Sequence, residues 1–271
     1  MKTGRTGAVA AIAGAAVVLS TFTAPAAQAA DTGISVSRIV INGGKSVIVG
    51  TSDEKAPSVT FRITLPAGYS TADPLAYDAH PFLYHGTTAA KGADAGGLYM
   101  AGYTCYETST RIADCEGELT IDPRYDLDSN SDATTWKIGV AAKLWKADGQ
   151  LKAGEYTTAP GGVKVKRWAK ATADASPEPV TKGRTITVTG RLTRADWVKH
   201  TYTGYAGKPV SLQFRKAGSS VYSTVKTATS SSTGSLKTTV KATVDGYWRW
   251  SFGGSSTSGT AAAAGDFVDV R

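Results

Sequence analysis

Beyond its first 30 residues the chain alternates apolar and polar side chains with period two, and no segment there has the 3.6-residue period of an amphipathic helix. Val59, Phe61, Ile63 and Leu65 alternate with Ser58, Thr60, Arg62 and Thr64. Successive side chains of a strand point to opposite faces, so this segment has one face to bury and one to leave in water. Trp136, Ile138, Val140, Ala142 and Leu144 repeat the pattern, and Val163 and Val165 against Lys164 and Lys166 repeat it more weakly. Further strands are expected over 34–41, 46–49, 81–84 and 98–104, separated by turn formers such as Asn42-Gly43-Gly44, Pro66-Ala67-Gly68 and Asp148-Gly149. Strands with one apolar face must cover it with a second sheet, which predicts an all-β fold of two-layer sandwiches.

The pattern restarts near Trp168. A run of Ala, Thr, Asp and Pro through Pro179 precedes strands expected over 184–192, 209–215, 221–228, 236–244, 247–252 and 266–270. With a first strand near Trp168 this makes about seven in about 100 residues, the spacing of an immunoglobulin-like sandwich. Two such domains in tandem are expected, at 31–167 and 168–271, after a signal peptide at 1–30. The first is longer, which predicts extra loops or a small appended hairpin near Tyr103 to Glu118, and its loops are the places to look for binding.

The first residues carry Lys2 and Arg5, the apolar run Ala8 to Val18, and Ala27-Gln28-Ala29, the layout of a secretory signal. The run is too short to span a membrane, so a secreted, extracellular product without membrane insertion is expected. Export permits Cys105 and Cys115, the only cysteines, to form one disulfide; two free thiols packed as small apolar residues are the plainer alternative.

Charge divides unevenly. Residues 31–167 carry 14 Lys and Arg against 16 Asp and Glu, and residues 168–271 carry 14 against 6. A basic module attracts anionic partners, although solubility alone accounts for it equally well. Arg215, Lys216, Lys226, Lys237, Lys241 and Arg249, interleaved with aromatics, are the candidate ligand residues. Trp248, Trp250 and Phe252 share the inward parity of one strand, which leaves Tyr247 and Arg249 outward. Trp145, Tyr202, Tyr205, Tyr99, Tyr103 and Tyr106 are expected nearer the surface.

Chemistry-bearing motifs are sparse. Asp126, Asp128, Asn130 and Asp132 alternate as at the opening of an EF-hand, yet Ser131 stands where Gly belongs and Lys137 where the bidentate Glu belongs. A true EF-hand is excluded; a surface calcium site and a plain solvated loop both stay open. His80 and His85 are five residues apart, an odd spacing that sends strand side chains to opposite faces. Glu107, Glu116 and Glu118 could approach one another across the hairpin as paired carboxylates for glycoside hydrolysis, although proximity alone assigns no acid or base role. No nucleophile elbow, zinc-protease motif or phosphate loop occurs, so no enzyme and no cofactor are expected.

The stretch Gly204 to Arg215, followed by Gly218 to Lys226, Gly234 to Lys241 and Asp245 to Arg249, resembles a repeated immunoglobulin-like module of secreted actinobacterial proteins. With Ala175 to Val180 and Thr185 to Gly190 the resemblance spans nearly all of 168–271; over 31–167 it is limited to general architecture. It implies a fold and a compartment, and carries no catalytic residue onto this sequence. The leading expectation is a non-catalytic secreted or envelope-associated binding or adhesion protein. Its partner would be an anionic cell-wall polymer, a polysaccharide or another extracellular protein, with nucleic acid disfavoured by the compartment. A calcium-dependent structural or adhesive module and a small secreted hydrolase are the alternatives.

Overall fold

The computed structural model describes residues 31–271; the signal peptide expected over 1–30 lies outside the described residues. The first sandwich contains β1 (Ser35–Ile41), β2 (Val47–Val49), β3 (Ser58–Thr64), β4 (Tyr77–Tyr84), a short helix α1 (Ala89–Asp94), β5 (Met100–Ser109), β6 (Ile112–Leu119), β7 (Thr135–Trp145) and β8 (Leu151–Arg167). One sheet has the order β1-β3-β6-β5 and the other β2-β8-β7-β4, with β2 parallel to β8 and the other pairs antiparallel. The alternating residues Val59, Phe61 and Ile63 meet Trp136, Leu144 and Val165 between the sheets, as each strand's apolar face requires.

The hairpin over 103–118 is not an appendage. β5 and β6 are the outer half of a sheet, and Cys105 pairs directly with Cys115 across them in a disulfide. The bridge therefore ties neighbouring strands of one sheet and does not link the two layers. α1, for which the sequence pattern gave no expectation, is capped by the Thr88 side chain, which accepts from Lys91 N at 3.3 Å. Its Ala89 and Ala93 help cover Phe82 and Tyr84 on the outer side of β4.

The second sandwich contains β9 (Ala169–Ser176), β10 (Thr185–Asp196), β11 (Thr201–Gly204), β12 (Pro209–Lys216), β13 (Ser223–Thr229), β14 (Ser235–Lys241), β15 (Gly246–Phe252), β16 (Ala261–Ala262) and β17 (Asp266–Val268). β10 pairs with β9, β14 and β11 in one sheet. The facing sheet runs β13-β12-β15, with β16 and β17 both on β15. Val188, Leu192, Val210, Leu212, Trp248 and Trp250 fill the space between. The chain is thus a tandem of immunoglobulin-like β-sandwiches.

Only Trp168 separates β8 from β9. Trp168 N donates to Val49 O at 2.8 Å and Ala195 N donates to Trp168 O at 2.7 Å, so the joint is hydrogen-bonded on both sides. Trp197, from the segment after β10, is fully buried in the core cluster of the first sandwich, and its indole Nε1 donates to Gly50 O at 2.8 Å. Arg167, also buried, donates through Nε to Ala195 O.

Candidate ligand-binding face

β12 turns Val210, Leu212 and Phe214 to the core and Ser211, Gln213 and Arg215 outward; β15 turns Trp248, Trp250 and Phe252 inward and Tyr247, Arg249 and Ser251 outward. Register then sets Arg215 opposite Tyr247, Gln213 opposite Arg249 and Phe267 opposite Tyr247. These outward groups form a ladder of contacts across three strands. The Phe267 and Tyr247 ring centroids are 5.1 Å apart, and the Arg215 guanidinium lies 4.0 Å from the Tyr247 ring and 5.3 Å from the Tyr222 ring. The Arg249 guanidinium lies over the Tyr222 ring at 3.7 Å. Tyr222 reaches in from the β12–β13 connection, and its hydroxyl occupies space that any side chain at Gly265 would claim.

The guanidiniums are anchored without being neutralised. Arg249 Nε donates to Gln213 Oε1 at 2.9 Å and Arg215 Nη1 donates to Ser219 O at 2.5 Å. Neither arginine takes part in an ion pair among the described residues. Nearby acids are held elsewhere: Asp245 Oδ1 accepts from Val270 N at 2.8 Å, Asp266 Oδ2 from Ala175 N at 2.6 Å, and Asp269 pairs with Arg271 at 3.0 Å. A guanidinium stacked on aromatic faces keeps its N–H donors in the ring-free plane, where the fork matches a carboxylate or phosphate.

The six basic residues selected from sequence do not form one patch. Arg215 and Arg249 share the ladder, whereas Lys237 and Lys241 face Thr189 and Thr185 across β14 and β10 in the opposite sheet. Lys226 stands opposite Leu212 on the outermost strand, and Lys216 ends β12 opposite Gly246. Alternation tells inside from outside but not which of two sheets a strand joins. Tyr222 and Phe267, absent from the sequence-based selection, complete the site. For Phe267 the signal was parity, since it precedes the buried Val268 as Tyr247 precedes the buried Trp248; Tyr222, in a connection between strands, had no such signal.

The loop considered for calcium is organised by its own backbone. Asp126 Oδ2 accepts from Asp122 N at 2.6 Å, and Asp132 Oδ2 accepts from Ser129 N at 2.9 Å in a capping box. Asn130 is committed to the joint: its Nδ2 donates to Asp196 Oδ1 at 3.0 Å and its Oδ1 accepts from Trp197 N at 3.0 Å. Asp128 points to solvent. No group of three or more His, Cys, Asp and Glu is placed to hold a metal ion among the described residues.

The remaining candidates separate likewise. His80 Nδ1 meets Asp78 Oδ1 at 3.0 Å, and Tyr103 OH donates to the same oxygen at 2.9 Å. His85 instead packs against Trp136, the rings tilted by 42° with centroids 3.6 Å apart. Glu116 and Glu118 alternate outward on β6, and Glu116 accepts from Tyr106 OH at 2.9 Å, while Glu107 stands opposite the buried Ala113. Tyr205, expected at the surface, is buried; it packs edge-on to Phe252 at 5.6 Å and its hydroxyl meets Ser255 Oγ at 3.1 Å.

No helix among the described residues is long and apolar enough to cross a membrane. No family model matches the sequence, and no curated protein matches it. Solved structures similar to it include a marsupial T cell receptor, at 10% identity over 88% of this chain and 73% of that chain, with a TM-score of 0.37. The three N-terminal domains of the highly immunogenic outer capsid protein of bacteriophage RB49 match at 10% identity over 88% and 70%, with a TM-score of 0.32. The D00-D0 domain of intimin matches at 14% identity over 87% and 98%, with a TM-score of 0.27. Likeness of this degree carries no reading of partner or activity, and the tandem sandwich stands on the strand order given above.

Proposed function

We propose that the chain is a secreted, non-catalytic binding protein whose second sandwich, residues 168–271, holds an anionic cell-wall polymer or acidic polysaccharide on the face built by Arg215 and Arg249. The observation that carries this reading is the row itself: two arginines over the Tyr222 and Tyr247 rings, with Phe267 beside Tyr247 and no ion-pair partner for either arginine among the described residues. The basic balance of 14 Lys and Arg against 6 Asp and Glu over 168–271 supports attraction of a polyanion from a distance. The signal at 1–30 and the Cys105–Cys115 disulfide support the extracellular compartment.

Binding to isolated cell wall and to polygalacturonate at low ionic strength tests the reading. Arg215→Ala with Arg249→Ala is expected to weaken binding about tenfold or more, since each lost charge-assisted bond is worth about 1.5–3 kcal/mol before screening. Lys237→Ala with Lys241→Ala, on the opposite sheet, is expected to change it much less. No binding at low salt, where ionic attraction is strongest, or equal losses in the two double variants, would count against the assignment.

A further inference from the structure

We infer that the groove where the two sandwiches meet is a separate binding site for an acidic sugar unit. The groove has a volume of about 600 Å3, within the size range of small-ligand sites, and Ile48, Lys166, Trp168, Ser255, Ser258 and Thr260 line it. Each kind of group needed to recognise a sugar acid is present. Trp168 is 38% exposed although it sits at a hydrogen-bonded joint, so its indole offers a stacking surface for a pyranose ring. The wall contributed by the second sandwich is rich in hydroxyls, with Ser255, Ser258 and Thr260 among its lining residues.

The charges around the groove select an anion. No Asp or Glu lines it. Lys166 Nζ donates to Ser255 O at 2.8 Å, which fixes the ammonium on the wall and leaves it further protons to donate. The Lys55 ammonium lies over the Trp168 ring at 5.1 Å, a flexible group able to exchange this cation–π contact for an ion pair with a carboxylate seated beside the indole. An aromatic platform, hydroxyls and two cations without a counter-charge fit a uronic acid residue better than a neutral sugar. The site is distinct from the arginine face: its residues come from β2, β8, the joint and the loop after β15, not from the outward positions of β12 and β15.

Trigalacturonate is the probe, titrated by calorimetry and followed on isotope-labelled full-length mature protein through the Trp168 indole N–H, assigned by its loss in Trp168→Phe. Saturable binding that shifts this resonance is expected. Lys55→Ala with Lys166→Ala should weaken binding about tenfold or more, as truncation of an interface anchor does, and galactotriose, which lacks the carboxylates, should bind correspondingly weakly. The Trp168 shift should persist in Arg215→Ala/Arg249→Ala, so a failure of the polymer-binding face and a failure of this groove read out separately. An unmoved Trp168 resonance, equal binding of the neutral trisaccharide, unchanged affinity in the double lysine variant, or a shift abolished by the arginine substitutions would overturn the inference. The lysine substitutions lie outside both cores, which keeps the test independent of whether Trp168 variants fold.

Discussion

Arg215 and Arg249 hold their guanidiniums against the Tyr247 and Tyr222 rings, and neither takes part in an ion pair among the described residues. Single residues elsewhere behave in the converse way, with a buried polar atom left over. His85 packs tilted against Trp136, has Asp132 Oδ1 3.9 Å away, and keeps Nε2 buried without a hydrogen bond. Burial lowers its affinity for a proton, and the Asp132 carboxylate only partly opposes this. Because the folded value lies below the unfolded value of about 6.5, the unfolded chain takes up the proton first. The resulting stabilisation is present above about pH 6.5 and is lost as pH falls through the folded value. Thermal melts from pH 7 to 5 should therefore show a smaller drop in Tm for His85→Asn than for the native chain; parallel curves would refute the assignment. Residue roles of this kind were only partly legible in the sequence. Asn130 reads as a ligand by its spacing, yet its partners Asp196 and Trp197 lie 66 and 67 residues away. Tyr205 reads as a loop residue, yet Phe252 and Ser255 enclose it.

At the scale of elements, strands were legible wherever one face is buried and the other wet. β3, β12 and β15 follow the alternation because each lies between a core and solvent, whereas β7 does so only near its ends, since Ile138 to Ala142 are all buried. The β5–β6 hairpin was misjudged as an appendage because β5 is mostly exposed and carries little apolar signal. Its sheet position makes the disulfide a local staple on an edge strand. With a sequence separation of 10, the bridge is expected to contribute roughly 2–3 kcal/mol by restricting the unfolded chain. Denaturant unfolding of Cys105→Ser/Cys115→Ser should show a loss of about that size. A loss near zero would mean that the reduced hairpin is already ordered by its pairing to β3. α1 escaped the sequence pattern for a different reason: six residues are too few to display a helical period.

For the whole molecule, the joint decides how the charge asymmetry is presented. Trp197 places a side chain of the segment following β10 inside the other sandwich, and Asn130 clasps the backbone beside it. Nothing in local periodicity announces such an insertion, since a tryptophan after a strand reads equally well as the core of its own domain. The insertion predicts that the two sandwiches unfold together in one calorimetric transition. Trp197→Ala is expected to cost about 3–5 kcal/mol and to split that transition in two, whereas two transitions in the native chain would show the joint to be weak. Held in this way, the second sandwich carries Arg215 and Arg249 on one sheet and Lys237 and Lys241 on the other, so its two faces present different basic groups. Chemical-shift mapping with polygalacturonate fragments at low salt distinguishes them most directly. The account predicts perturbations centred on Arg215, Tyr222, Tyr247, Arg249 and Phe267; perturbations centred on Lys237 and Lys241, or spread evenly over every lysine and arginine, would contradict it.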